Sequence, residues 1–359
     1  MSVGVLEQVR SRRTALILGY LVAAVAALAA LVLATGGFVD TAMLGWYRGA
    51  FGTGFNLVQT LAYATPLVLI GLGVAPALRA GVITVGAEGQ LVMGAIAAAW
   101  IALNLDGLPP ILALPLGAVG GAAAGLGWAL VAGFARVRWG VNEILFTLLA
   151  NYLAGYLLAY LLRTSLRDPA STGTPKSPVL PDAALLPILP LPGRLHVGAL
   201  LVVGLVVLAW YWQRTRSSFL VDLHGARPEL AARLGLSSGR AVLTTFAVSG
   251  AAAGLAGWMQ LAGVDGRLQP AVSAGVGFAG IAVAVLGGYR PLGIVLAAIA
   301  YASLTTGGNG IQIATGTVPA SIGTVGQGVL LLTAALVVGV RQVLPAVATR
   351  RERAVQEVR

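Results

Sequence analysis

The chain contains no cysteine, which excludes disulfides, thiolate nucleophiles and cysteine-ligated metals and leaves the redox compartment unreadable. Histidine is nearly missing as well. His196 and His224 are the only two, too few for a histidine-rich metal site, and both read as bystanders at segment edges. No metal and no cofactor is expected. Lysine is reduced to Lys176, which lies outside any glycine-rich context, so there is no GxxxxGK(S/T) phosphate loop and the chain cannot power itself with ATP. HExxH, GxSxG and a spaced carboxylate pair are also lacking, so the case for membrane hydrolysis is poor and the chain does not read as an enzyme. Charge is scarce, at 10% of 359 residues, whereas 58% are hydrophobic and the mean hydropathy is +0.88. No soluble domain of this length tolerates such a surface, so the solvent is lipid. The net charge of +11 comes almost entirely from arginine, whose placement matters more than its sum. Nucleic-acid binding is not implied.

A membrane-spanning helix needs about 20 mostly apolar residues. Such runs lie near 14–34, 55–78, 82–104, 110–134, 141–162, 196–213, 241–262, 273–288, 291–306 and 322–340. The expected fold is therefore an all-α polytopic bundle of about ten spans, with a transmembrane domain over 14–340, an N-terminal tail over 1–13 and a basic tail over 341–359. The eighth and ninth runs are short and turn at Gly287-Gly288-Tyr289-Arg290-Pro291, the pattern of tilted, broken or partly re-entrant helices shielded from lipid by protein. With ten spans, 17 of the 23 lysines and arginines fall on the side of the N-terminus and 6 on the other. That asymmetry places both termini in the cytoplasm. Ser11-Arg12-Arg13 precedes an apolar run of about 21 residues. That is longer than the apolar core of a signal peptide, and many spans follow it, so the run reads as an uncleaved first helix.

Two connections stand out. The external one, 164–195, is rich in proline (Pro169, Pro175, Pro178, Pro181, Pro187, Pro190, Pro192) and should be extended and non-helical, either facing an external partner or simply joining two halves of the bundle. The cytoplasmic one, 214–240, contains Pro228-Glu229-Leu230-Ala231-Ala232-Arg233-Leu234-Gly235. Proline suits the first helical position, Glu229 the positive end, Arg233 the negative end with an i,i+4 pair to Glu229, and Gly235 the cap, so a short rigid helix is expected there. Gly117, Gly121 and Gly125 in one span and Gly250 and Gly254 in another recur at helical spacing and read as packing positions where backbones approach closely. The segments 81–95 and 273–287 are both glycine-rich and open a span, but they are too dissimilar to set an internal repeat.

An ionisable group near the bilayer centre costs roughly 2.5–3.5 kcal/mol even on the lenient insertion scale, so intramembrane acids are candidate functional residues. Glu88 and Glu143 are the two. Glu88 lies in Gly86-Ala87-Glu88-Gly89-Gln90, flanked by glycines that permit a break in the helix, and either lines or gates a path or satisfies the backbone of an opened helix. Glu143 follows Arg136, Arg138 and Trp139, which mark the cytoplasmic interface, and forms with Thr147 and Asn151 a polar stripe at i, i+4 and i+8, with Asn142 on the same helix. Such a stripe lines a path or bonds to a neighbouring helix. With no phosphate loop, energy comes from an ion gradient, from a partner, or from nothing.

Several of these segments resemble one family, the permease subunits of nucleoside-type ABC importers that work with basic-membrane-protein-like lipoproteins, and more distantly the ribose and branched-chain amino acid permeases. The matching residues are Gly86-Ala87-Glu88-Gly89-Gln90, similar to the family's N-I-G-x-E-G-Q, and Val141-Asn142-Glu143-Ile144 through Thr147 to Asn151-Tyr152. Ala231-Ala232-Arg233-Leu234-Gly235, the run from Gly277 to Gly287, and Gly326-Gln327-Gly328 also match, over about residues 55–340. Thr84 stands where the family has asparagine, which puts any hydrogen bond made by that asparagine in doubt.

The resemblance implies a multi-pass subunit of a bacterial-type inner membrane that takes up nucleosides. It also implies three partners: a cytoplasmic ATPase, a second related permease and an extracytoplasmic binding lipoprotein. Glu88, Gln90, Asn142, Glu143, Thr147 and Asn151 become candidates for the translocation path or gate. Glu229, Ala231, Ala232, Arg233 and Gly235 become the helix that couples to the ATPase. The alternatives are a proton-coupled secondary transporter with Glu88 as the coupling carboxylate, or an ABC permease for a sugar or a branched-chain amino acid.

Overall fold

A computed structural model describes residues 26–105, 107–171 and 173–332. The expected tails, 1–13 and 341–359, and the outer parts of the first and last expected spans, 14–25 and 333–340, lie outside the described residues. The described residues are helical apart from connections and one isolated bridge, Ile188 to His196. Five helices are long and apolar enough to cross a membrane, or up to seven if each of two sharply bent helix pairs counts as one span. The described residues divide into two compact units, one within 58–302 and one formed by the described parts of the flanking segments, 26–57 and 303–332.

Within the larger unit, α3 (Gly54–Arg79, whose first turn precedes the unit), α4 (Ala87–Asn104), α5 (Pro110–Trp139), α6 (Glu143–Leu161) and α10 (Ser238–Gln260) form the packed bundle. Its three most intimate members, α4, α5 and α10, meet backbone to backbone. A Cβ added to Gly94 would run into the carbonyl of Gly254, one on Gly125 into that of Gly250, and one on Gly257 into that of Leu91. The glycines read from sequence as packing positions therefore do pack, and Gly94 and Gly257 join them. In lipid, where apolar side chains gain nothing by leaving their surroundings, this close approach and its dispersion contacts hold helices together.

Helix ends follow local chemistry. Pro110 opens α5, Gly140 closes it at φ +65, and the Asn142 side chain caps α6. α3 ends in a Schellman motif: Gly81, at φ +75, donates to Leu78 O and Val82 donates to Ala77 O. The expected span from 82 opens late, because residues 82–86 are non-helical and α4 starts at Ala87. α7 (Gly198–Trp212) and α8 (Arg216–Ala226) are bent by 72°. α9 (Pro228–Arg233) is the short helix expected from its proline and glycine. α10 ends in one π-helical turn, Leu261–Asp265, and α11 (Val276–Leu286) is far too short to span a bilayer.

Among its described residues the proline-rich connection is non-helical except for one 3₁₀ turn, Asp182–Ala184, and it folds back on the chain. Ser177 N–H donates to Leu268 O (3.0 Å), Leu180 N–H to Gly266 O (2.9 Å) and Leu186 N–H to Ala262 O (2.9 Å). Its own Leu166, Leu180, Ala184 and Leu186 are buried.

In the smaller unit, α1 (Ala26–Ala34) and α2 (Val39–Phe51) are bent by 104°. α2 occupies what the sequence reads as a connection, since Asp40, Arg48 and its glycines depress its hydropathy. Gly45 and Gly49 bring it against Gly310 of α12 (Pro291–Thr315), and Gly308 touches Gly323 of α13 (Ile322–Leu332). Those contacts explain why α12 runs on to Thr315 where the sequence suggested an end near 306. Gly307, Gly308 and Gly310 are contact points within the helix and do not break it.

Candidate functional site

The opened backbone between α3 and α4 gathers most of the polar residues singled out in the sequence. Leaving the helix at 82–86 frees peptide groups that lipid cannot satisfy. α6 supplies the partners. Asn151 is bonded at both ends of its amide: Nδ2 donates to Val85 O (2.9 Å) and Oδ1 accepts from Gly89 N–H (2.9 Å). Thr147 Oγ1 donates to Glu143 O (2.7 Å) and accepts from Val85 N–H (3.3 Å). The stripe on α6 thus bonds to a neighbouring helix. Thr84 is fully buried and accepts from Gly86 N–H (3.3 Å).

The two glycines around Glu88 act by size. Gly86 has ordinary helical angles, φ −80 and ψ −3, but a Cβ there would lie 3.2 Å from the Thr147 side chain. One on Gly89 would lie 2.9 Å from Asn151 Oδ1. They let α6 come close enough to bond the opened chain. Gln90 is buried and accepts from Ser249 Oγ of α10 (3.4 Å).

Glu88 stands in the first turn of α4 and reaches to a second helix start. Its Oε1 accepts from Gly275 N–H (2.9 Å) and its Oε2 from Gly277 N–H (2.8 Å). Ala274 and Gly275 both have positive φ, +42 and +82, and the segment leads directly into α11. This turn points the N–H groups of Gly275 and Gly277 at the carboxylate, while the intervening Val276 N–H turns back to Ser273 O (2.8 Å). The N-terminal end of a helix adds partial positive charge, and α4 and α11 both begin at this carboxylate. Gly277 is pressed against the backbone of Glu88, so no larger residue fits.

Glu143 and Asn142 lie at the other end of the stripe. Glu143 pairs with Arg136 of α5, and Asn142 Oδ1 accepts from Ile144 N–H (3.0 Å) and Leu145 N–H (3.2 Å). The structure brings Glu88, Gln90, Thr147 and Asn151 together around one break and leaves Asn142 and Glu143 at the start of α6.

The residues expected to couple to an ATPase sit on α9 and its cap. Leu236 N–H donates to Ala231 O (2.9 Å) and Gly235 N–H to Ala232 O (3.1 Å), a Schellman motif with Gly235 at φ +104. Glu229, Ala232, Arg233 and Gly235 are exposed, whereas Ala231 is fully buried and anchors the turn. The expected Glu229–Arg233 ion pair is not formed among the described residues. Both side chains stand in solvent, where such a pair gains only a few tenths of a kcal/mol.

Sequence reading missed what holds this region. Arg79, the last residue of α3, grips α8: Nε donates to Asp222 Oδ1 (2.7 Å), and Nη2 donates to Asp222 Oδ2 (2.6 Å) and to Ser218 Oγ (2.7 Å). Its guanidinium lies 5.5 Å from the centre of the Trp212 ring. His224, read as a bystander, has Nδ1 2.9 Å from Ala80 O. The available signal was an arginine at the end of an apolar run and, in the 214–240 connection, a choice of two acids, Asp222 and Glu229. An open groove between α4, α5 and α6, lined by Met93, Ile96, Trp100, Gly120 and Leu161, is apolar, and among those side chains only the indole N–H of Trp100 can donate a hydrogen bond.

Comparison with known proteins gives this geometry a context. A family model described as branched-chain amino acid transport system / permease component matches residues 56–338. A glucose ABC transporter permease protein of Haloferax volcanii is 36% identical over 292 residues, covering 77% of this chain and 75% of the relative. A guanosine ABC transporter permease protein of Bacillus subtilis is 31% identical over 322 residues, covering 89% of this chain and 92% of the relative. A nucleoside ABC transporter permease protein of Lactococcus lactis is 27% identical over 274 residues, 74% of this chain and 75% of the relative. No solved structure matches the chain.

Proposed function

We propose, from the premise that this chain belongs to the branched-chain amino acid transport system / permease component family and is a multi-pass membrane protein, that it forms the translocation path of an ABC importer for nucleosides. The observation that carries the substrate is the guanosine permease of Bacillus subtilis, similar across 89% of this chain. In this reading the chain works with a cytoplasmic ATPase, a second permease and an extracytoplasmic binding lipoprotein, and resides in a bacterial-type inner membrane. About ten spans cross that membrane with both termini in the cytoplasm, a reading supported by the division of lysines and arginines, 17 against 6. The tails 1–13 and 341–359 flank a permease domain over 14–340, the external connection 164–195 faces the lipoprotein and the cytoplasmic one, 214–240, faces the ATPase.

α9 docks in the ATPase through Glu229, Ala232, Arg233 and Gly235, with Ala231 holding the turn. Glu88, Gln90, Thr147 and Asn151 shape the break between α3 and α4 that opens and closes during transport, and Asn142 with Glu143 fixes the start of α6. Glu88 has both carboxylate oxygens engaged by backbone N–H groups, which favours a gating role over that of a carboxylate which binds and releases protons.

The glucose permease of Haloferax volcanii, at 36% identity, favours a second reading, a sugar as substrate. Both solutes are uncharged and rich in hydroxyls. Reconstitution with all three partners decides between them. Guanosine uptake that needs ATP and persists with an uncoupler while ATP is maintained is the expected result. Glucose uptake in its place would move the substrate to sugars, and uptake abolished by the uncoupler would overturn the ABC reading.

A further inference from the structure

The grip of Arg79 on α8 is more specific than holding the two helices together requires. The Arg79 side chain is 13% exposed and that of Asp222 50%, and a pair with one member half in solvent adds little to stability. Its geometry is nevertheless specific, since two parallel N–H to carboxylate bonds fix a guanidinium in plane and direction. Ser218 Oγ and the Trp212 ring occupy further sides of the same guanidinium.

The backbone repeats the grip one residue on. Gly225 is pressed against the carbonyl of Arg79, and His224 Nδ1 meets Ala80 O. α8 and α9 in turn behave as one piece, because Arg227 caps both and Arg216 Nη2 reaches Leu234 O at the end of α9 (3.5 Å). Beyond Ala80 the chain has only a short non-helical stretch before Val85 and Gly89, which Asn151 holds. Next comes Glu88, bonded to the start of α11. Contacts therefore run without a gap from α9 through α8 and the end of α3 to the opened start of α4.

We propose that Arg79 and Asp222 are a positioning pair through which displacement of α9 reaches the start of α4. The proposal rests on the reading of α9 as the helix that docks in the ATPase. An ATPase pulling on α9 moves α8. The fork between Arg79 and Asp222 obliges residues 79–80 to follow, and the short connector shifts the first turn of α4 together with the Glu88 carboxylate that holds α11. Without the fork, only the contacts of His224 and Gly225 tie α8 to residues 79–80, and less of the displacement of α9 reaches α4.

The test uses the whole transporter in proteoliposomes and reads co-purified ATPase, ATP hydrolysis and uptake of guanosine and of glucose from one preparation. Asp222→Asn keeps the shape of the side chain and removes its charge. It is expected to retain the ATPase and its hydrolysis while lowering uptake per ATP at least fivefold. Asp222→Glu restores the charge at a half-exposed site and should recover most of that loss. Unchanged uptake per ATP in Asp222→Asn would overturn the proposal. So would hydrolysis and uptake falling together, or an equal loss in Asp222→Glu. Exchange of charge on α9, Glu229→Arg with Arg233→Glu, separates the underlying reading: it should reduce co-purification of the ATPase, which Asp222→Asn should leave intact. Unchanged co-purification would remove the docking reading and this proposal with it.

Discussion

The two halves of α4 are held in opposite ways. From Leu91 to Ala99 the helix is buried against α5 and α10 with little between backbones except hydrogen, because glycines at 94, 121, 125, 254 and 257 bring the helices into contact. From Gly86 to Gln90 it is held by polar groups, among them the Asn151 amide, the Thr147 hydroxyl, Ser249 and its own Glu88 reaching to α11. An intact helix satisfies its own peptide groups and needs only close packing. An opened one must borrow donors and acceptors from its neighbours. The first kind of contact is intolerant of added atoms, and the second of lost ones.

Three substitutions sharpen that contrast. Gly94→Val should have the largest effect, since backbone on both sides cannot yield. Overpacking costs about 1–3 kcal/mol and occasionally more, and the upper end is expected here, enough to deplete the folded protein in detergent. A monodisperse variant with the parental melting temperature would show that α4 and α10 are not in this contact.

Asn151→Leu should follow. It leaves Val85 O and Gly89 N–H without partners, a loss of about 1–3 kcal/mol from two neutral bonds. Hydrogen bonds inside membrane proteins average only about 0.6 kcal/mol, so the lower half of that range is expected in thermal melts. A rise in stability would mean that the opened chain finds other partners.

Glu88→Gln should have the smallest effect on stability. One acceptor oxygen remains, and about 1 kcal/mol is the expected loss. Transport should nevertheless fall further than in Asn151→Leu, because the amide repels one of the two N–H groups at the start of α11. If uptake in proteoliposomes is unchanged, the carboxylate is a bystander to transport.

The dry half of this comparison was legible in the sequence, since glycines four residues apart announce a close helix contact without naming its partner. The polar half was legible only in outline. Gly86-Ala87-Glu88-Gly89-Gln90 signalled a break, and Glu143, Thr147 and Asn151 signalled a polar stripe, but the pairing of stripe with break joins segments more than sixty residues apart. Hydropathy counts residues 82–86 as apolar and so runs the span straight through them, although their backbone is not helical. The same averaging hides α2, whose charges lower its score while its glycines pack it on α12. Arg79 and Asp222 are 143 positions apart, and neither belongs to a local pattern that singles it out.

The proline-rich connection is tied to the loop after α10 through main-chain groups of residues 177, 180 and 186, with a single hydroxyl, that of Ser177, taking part. Its outward side chains, Val179 and Ile188 among them, carry none of those ties. The connection is thus a fixed frame with replaceable lettering: its wording can be rewritten while the shape of the page stays the same, which would suit the external placement proposed for it.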